Sequence, residues 1–160
     1  MTDNKIKQYW EQFKVDTNQP DVKFGSAWAF GMTKDEADRL AKLTYDGVKT
    51  ATASLYELYE IENEPLPIAN EHYDILLDGT GNPVGIILTT AVTIQEYDKV
   101  SEQHAYEEGE GDRTLEYWRQ VHDVFFTKAL AEVGYDLDLK DAHVVLEKLQ
   151  LVYSEALRVV

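Results

Sequence analysis

Tyr73-Asp74-Ile75-Leu76-Leu77-Asp78-Gly79-Thr80-Gly81-Asn82-Pro83-Val84-Gly85-Ile86-Ile87-Leu88 decides the class of fold. Two apolar, β-branched runs flank Asp78-Gly79-Thr80-Gly81-Asn82-Pro83, a cluster of turn-forming residues. Strands are therefore expected over Tyr73–Asp78 and Pro83–Tyr97. Downstream, His143–Tyr153 reads as a final strand. Upstream, Val48–Ser54 is rich in β-branched and small residues and reads as a short one. Trp28-Ala29-Phe30-Gly31 fits a short strand or an ordered loop lining a cleft.

Helices fall between these segments. Ile6, Trp10 and Phe13 recur at four and three over residues 3–15, with Asp3 as cap. Asn18-Gln19-Pro20-Asp21 turns the chain. Thr33-Lys34-Asp35-Glu36 has the form of a capping box for a helix over residues 34–46, and Gly47 ends it. Leu55–Ile61 leans to helix, and Pro65 and Pro67 force an extended loop. Asp98–His104 is expected as a helical turn and Glu107–Arg113 as an acidic, glycine-bearing loop. Thr114–Val133 is the clearest helix, ended by Gly134, and the tail Ser154–Val160 is expected to fray. Strands and helices do not alternate throughout. The pattern predicts an α+β fold, with a mixed or mostly antiparallel sheet closing into a small β-barrel ringed by helices. Residues 1–20 form an N-terminal helical extension and 21–155 the domain.

Composition narrows the function. The chain has 160 residues and no cysteine, which excludes disulfides, thiolate metal sites and cysteine catalysis. Asp and Glu number 30 against 15 Lys and Arg, a net charge of −15. The lysines and arginines are scattered, so no basic stripe tracks a phosphate backbone and duplex DNA is not an expected partner. The polar start lacks a signal-peptide core. The longest apolar run, Val84–Ala91, is far short of the roughly 20 residues that span a bilayer. A cytoplasmic protein without a membrane partner is expected.

Gly47-x-Lys49-x-x-Thr52 is the most distinctive motif. It is not a phosphate-cradling loop, because the glycine follows a helix and the lysine precedes a strand. A lysine beside a hydroxyl can act as base and nucleophile. In a straight strand, however, residues three apart face opposite sides, so the pair meets only if Lys49 lies in a turn or the chain bends. On spacing alone, an exposed lysine and a β-forming threonine are the better reading. Glu108, Glu110 and Asp112 can serve as acid, base or Mg²⁺ ligands, or simply as solvated charges before a helix capped by Asp112 or Thr114. His72, His104, His122 and His143 form no His-x-x-x-His pair, and no zinc site is expected. Trp28, Phe30, Tyr56, Tyr59 and Trp118 can stack a base or simply pack a core.

Taken in order, Trp28-Ala29-Phe30-Gly31, Gly47-Val48-Lys49-Thr50-Ala51-Thr52, Ser54-Leu55, Glu64-Pro65-Leu66-Pro67, Glu108-Gly109-Glu110-Gly111-Asp112-Arg113 and Tyr117-Trp118 resemble the ASCH domain family, especially its larger bacterial members. The resemblance covers roughly residues 24–153 and implies a PUA-like fold. ASCH domains were proposed to bind RNA, and some members have been credited with metal-dependent RNA cleavage. A smaller bacterial relative is an amidohydrolase that deacetylates acetylcytidine. Its lysine and threonine match Lys49 and Thr52. Its glutamate follows a His-Ala pair as Glu108 follows His104-Ala105. This chain departs from that relative in its extra helices, in Tyr106-Glu107-Glu108-Gly109, and in the Ala53-Ser54 that follows Thr52. The resemblance thus implies Lys49, Thr52 and Glu108 as catalytic residues, with Trp28, Phe30, Thr50, Ser54 and Arg113 facing substrate. It implies no metal or cofactor in that role. The expected partner is a nucleoside-like small molecule or, alternatively, single-stranded RNA.

Overall fold

The computed structural model describes residues 2–155, with side chains from Asn4 onward. Asp3, the expected cap, and most of the tail, 156–160, lie outside those described side chains. The elements run α1 (Thr2–Thr17), β1 (Phe24–Trp28), α2 (Lys34–Tyr45), β2 (Ala51–Leu55), α3 (Tyr56–Ile61), β3 (Tyr73–Leu77) and β4 (Pro83–Glu96). After these come a 3₁₀ turn (Tyr97–Lys99), α4 (Glu102–Glu108), α5 (Leu115–Glu132), a second 3₁₀ turn (Leu139–Asp141) and β5 (His143–Tyr153).

The strands form one five-stranded sheet in the order β1-β3-β4-β5-β2. Only β1 and β3 are parallel; the other neighbours are antiparallel. The turn at Asp78–Asn82 joins β3 to β4 as expected. The Asp78 carboxylate accepts from the Thr80 and Asn82 N–H groups, each at 2.9 Å. Irregularities at Ile86/Ile87 and Thr89/Ala91 bend the long β4–β5 ladder.

The sheet is not closed, which corrects the expected barrel. β1 and β2 are five residues each, stand at opposite ends of the order and do not pair. The unpaired edge of β2 borders a pocket lined by side chains of α5 and of the loop before α2, and no strand among the described residues lies there.

Alternation sorts the apolar residues into two faces. Leu55 and Val144 pack against Trp118, Phe126 and Leu130 of α5. Leu76, Ile87 and Leu149 pack against Leu40 and Ala41 of α2, with Phe30 beside them. α1 brings Trp10 and Phe13 onto Ile75, Ile86 and Tyr153. Burying a side chain such as Phe13 is worth about 2 kcal/mol.

Of the boundaries that differ from expectation, two shape the site. The strand expected from Val48 begins at Ala51. Gly47, at φ 79°, turns the chain after α2, and the Val48 and Lys49 N–H groups both return to the Leu43 carbonyl at 2.9 and 3.0 Å. The acidic loop also starts later than Glu107. Ser101 caps α4 by accepting from the His104 N–H at 3.0 Å, and nothing breaks the helix before Gly109 at φ 77°. Glu107 and Glu108 are therefore helical. α5 is capped by Thr114, which accepts from the Tyr117 N–H at 3.1 Å.

Candidate active site

Lys49 leaves the turn rather than the strand, so its side chain is free of the strand's alternation. Its amine curls back and donates to the Ala51 carbonyl at 3.0 Å. It also lies 3.3 Å from Glu110 Oε2 and 3.5 Å from Glu108 Oε1, with the Phe30 ring centroid at 4.9 Å. Lys49 is only 2% exposed. An ammonium this buried must be paired or hydrogen-bonded, and here it is both.

Glu108 anchors the arrangement from the last turn of α4. It is fully buried. Its Oε2 accepts from Trp118 Nε1 at 2.7 Å and lies 2.7 Å from His104 Nε2. Its Oε1 faces Lys49 and, at 3.7 Å, His122 Nε2. Burial alone would raise the Glu108 carboxyl. The Lys49 ammonium, the His104 hydrogen bond and the His122 ring outweigh burial and hold it down at about 2.

The two histidines have defined tautomers. His104 Nδ1 is 3.5 Å from the Lys148 ammonium, a donor, so Nε2 carries the proton given to Glu108. His122 Nδ1 lies 2.8 Å from the Trp118 carbonyl, an acceptor, so Nδ1 carries a proton. The His122 ring stacks on Trp118 at 4.0 Å, and burial pushes its pKa down despite the nearby Glu108 carboxylate.

Lys49, Thr52, Glu108, Glu110, Phe30 and His122 line one pocket beside β2, together with Gly31, Glu36 and Val121. Its free space is about 80 Å³. At roughly 30 Å³ per water this admits an acyl-sized group, with the remainder of a larger molecule at the mouth. The expected trio thus meets at one place. Of the substrate-facing candidates, only Phe30 lines the pocket.

The other four have different contacts. Trp28 donates its indole N–H to Asp74 at 3.0 Å and sets its ring edge against Phe30. Thr50 points its hydroxyl at the Glu107 carbonyl, 3.3 Å away. Ser54 shares a hydrogen bond with the Tyr59 hydroxyl at 2.8 Å. Arg113 donates to the carbonyls of Tyr106 and Val48 and stacks on the Tyr106 ring, tying the loop after α4 to the turn before β2. That junction is tight. A Cβ on Gly109 would lie 2.6 Å from the Val48 carbonyl oxygen. Asp112 is exposed and bonds Thr114, apart from Glu108 and Glu110. Among the described residues, no three His, Cys, Asp or Glu side chains are grouped to hold a metal.

The comparisons agree with the fold. The family model for the ASCH domain matches residues 26–153. This chain belongs to the ASCH-domain family. Its PUA-like α+β fold is shared with the crystal structure of an ASCH domain from Lactobacillus crispatus. That likeness has a TM-score of 0.82 and 31% identity, and covers 95% of this chain and 94% of the other. A crystal structure of a protein from Enterococcus faecalis is similar at a TM-score of 0.85 and 36% identity, over 93% of this chain and 88% of the other. No curated protein matches the chain. No helix among the described residues of this ASCH domain is long and apolar enough to cross a membrane.

The sequence reading did not assign His104, Trp118 and His122 to the site. Two four-residue spacings carried the signal: His104 to Glu108, and Trp118 to His122. The first becomes visible once α4 is extended through Glu108, and the second already lies within the helix expected over Thr114–Val133.

Proposed function

We propose that this ASCH domain is a cytoplasmic amidohydrolase that removes the acyl group from an acylated nucleoside such as N4-acetylcytidine. One observation carries the reading. A buried amine, held by two carboxylates, faces an acyl-sized pocket that a threonine also lines. Thr52 is the nucleophile and Lys49, once its ammonium has given up a proton, is its general base. Thr52 Oγ bonds to the acyl carbon and its proton passes to the Lys49 amine. The C–N bond then breaks, and Lys49 returns the proton to the leaving amine. Water, deprotonated the same way, cleaves the threonyl ester and releases the acid. Glu108 orients Lys49. With four partners and a carboxyl held at about 2, it is suited to positioning rather than proton delivery. The net charge of −15 suits a substrate without phosphates.

Single-stranded RNA is the less favoured partner. Lys49, which would meet its phosphate, is buried. Trp28 and Arg113 are engaged by Asp74, Tyr106 and Val48.

Hydrolysis of N4-acetylcytidine by the wild type, Lys49→Ala and Thr52→Ala tests the assignment, with thermal unfolding followed on each. Thr52→Ala is expected to lower turnover by about 10³-fold or more while unfolding normally. Full activity in Thr52→Ala removes the nucleophile assignment.

A further inference from the structure

An acyl-transfer site needs a donor for the oxygen that becomes negative in the tetrahedral intermediate. None of the side chains assigned above is an obvious neutral donor for it. The backbone of β2 supplies one.

β2 is an edge strand, paired only with β5. Its register is unbroken, with Ala51 opposite Lys148, Thr52 opposite Glu147 and Ala53 opposite Leu146. One residue earlier, the Thr50 carbonyl accepts from the Leu149 N–H at 2.9 Å. In an antiparallel pair, residues that bond the partner alternate with residues whose N–H and C=O point away. Thr50, Thr52 and Ser54 therefore bond β5, while Ala51, Ala53 and Leu55 direct their backbone groups to the open edge. Lys49 confirms the phase, because its amine takes the outward Ala51 carbonyl at 3.0 Å. The next outward group along the edge is the Ala53 N–H. Ala53 lines the pocket with Lys49 and Thr52. No loop carbonyl or side chain among the described residues accepts a hydrogen bond from it.

We propose that the outward Ala53 N–H is the oxyanion donor of this site, working beside the Lys49 amine on an acyl carbonyl attacked by Thr52. The inference rests on the amidohydrolase reading above. As Thr52 Oγ bonds to the acyl carbon, the carbonyl π pair moves onto oxygen, which the Ala53 N–H meets. The proton released by Thr52 makes the Lys49 ammonium that faces the same charge. When the oxygen pair returns, the C–N bond breaks and the amine leaves with the lysine's proton. The residue after the nucleophile is the one whose N–H serves this purpose in a nucleophile elbow. Here an unpaired sheet edge presents it.

The outward geometry makes a clean test, because proline is tolerated in an edge strand where the N–H faces away from the ladder. Ala53→Pro deletes the donor and leaves Lys49, Thr52 and Glu108 in place. With N4-acetylcytidine, kcat is expected to fall about 10²–10³-fold, with KM within a few fold and unfolding near that of the wild type. A second protein, in which an ester replaces the Thr52–Ala53 amide, removes the same N–H if the proline variant does not fold. It is expected to show the same loss in kcat. Wild-type kcat in either folded protein overturns the oxyanion assignment and leaves the hydrolase reading standing. No turnover by the wild type on N4-acetylcytidine and its longer N4-acyl analogues overturns both.

Discussion

Two carboxylates flank β2, and the fold treats them in opposite ways. Glu108 lies on the α4–α5 side, where an ammonium, an indole N–H and two imidazoles surround it. Glu147 pairs with Thr52 across β2 and β5, and its Oε1 accepts one hydroxyl, that of Thr89, at 3.0 Å. Burial raises the Glu147 pKa and Asp74 raises it further, against the Thr89 bond and His72. Burial penalises both charges. Only Glu108 has enough partners to reverse the sign. A carboxylate is therefore held charged or made easier to protonate here according to its neighbours, and its depth alone says little.

The largest effect should come from removing the charge that Glu108 needs. Lys49→Met keeps the volume but strands a fully buried carboxylate among neutral groups. Breaking a buried pair on one side costs about 3–5 kcal/mol. Urea unfolding at pH 7 should show that loss, together with loss of turnover. A stability within about 0.5 kcal/mol of wild type, the range of an ordinary surface change, means Glu108 does not depend on Lys49.

Acid comes next. The folded Glu108 carboxyl is held at about 2 against an ordinary value of 4.5. Because the folded value is depressed, its contribution is complete above pH 4.5 and is lost as pH falls from there toward 2. The full loss is about 3 kcal/mol at 1.36 kcal/mol per unit. His122 adds to it. Its folded pKa lies below 6.5, so the unfolded chain takes up that proton first and stability starts to drop as pH falls below 6.5. Unfolding free energy measured from pH 7 to pH 3 should decline in two overlapping steps. Replacing Glu108 with Gln should remove the lower one.

Much of this contrast was legible in the residues, and the rest was hidden for identifiable reasons. The β3–β4 turn, the capping box at Thr33 and the α5 stripe are local patterns, and they stand where periodicity put them. For the capping box, Thr33 accepts from the Glu36 N–H, while Glu36 reaches back to the Met32 N–H, one residue outside the usual return bond. The open sheet was not legible, because closure depends on whether two distant edges meet and no local signal reports that. That Lys49 and Thr52 line one pocket turned on three hydrogen-bonded residues after Gly47, too few to show a period. Glu108 read as loop because acidic residues next to glycine have loop composition, although Ser101 and His104 already specified a helix through it. α1 lies before the matched family span of 26–153, yet its Trp10 and Phe13 complete the third apolar cluster.

The smallest effect should come from Glu147, and its sign is the sharper test. A raised folded pKa means the native state holds the proton more tightly than the unfolded chain does. That stability is complete below pH 4.5 and is lost as pH rises through the folded value. At pH 7 the half-buried carboxylate is therefore a small liability. Glu147→Gln keeps a carbonyl oxygen for the Thr89 hydroxyl and removes the charge that Asp74 opposes. The variant should be more stable than wild type at pH 7, and its advantage should shrink toward pH 4. The corresponding Glu108→Gln change should be destabilising at pH 7, since it removes the charge that pairs with Lys49 and turns one of the two acceptor oxygens facing Lys49 and His104 into a donor. Urea midpoints for the two variants at both pH values test the contrast directly. If both changes move stability in the same direction at pH 7, the difference between the two sides of β2 is one of burial and not of partners.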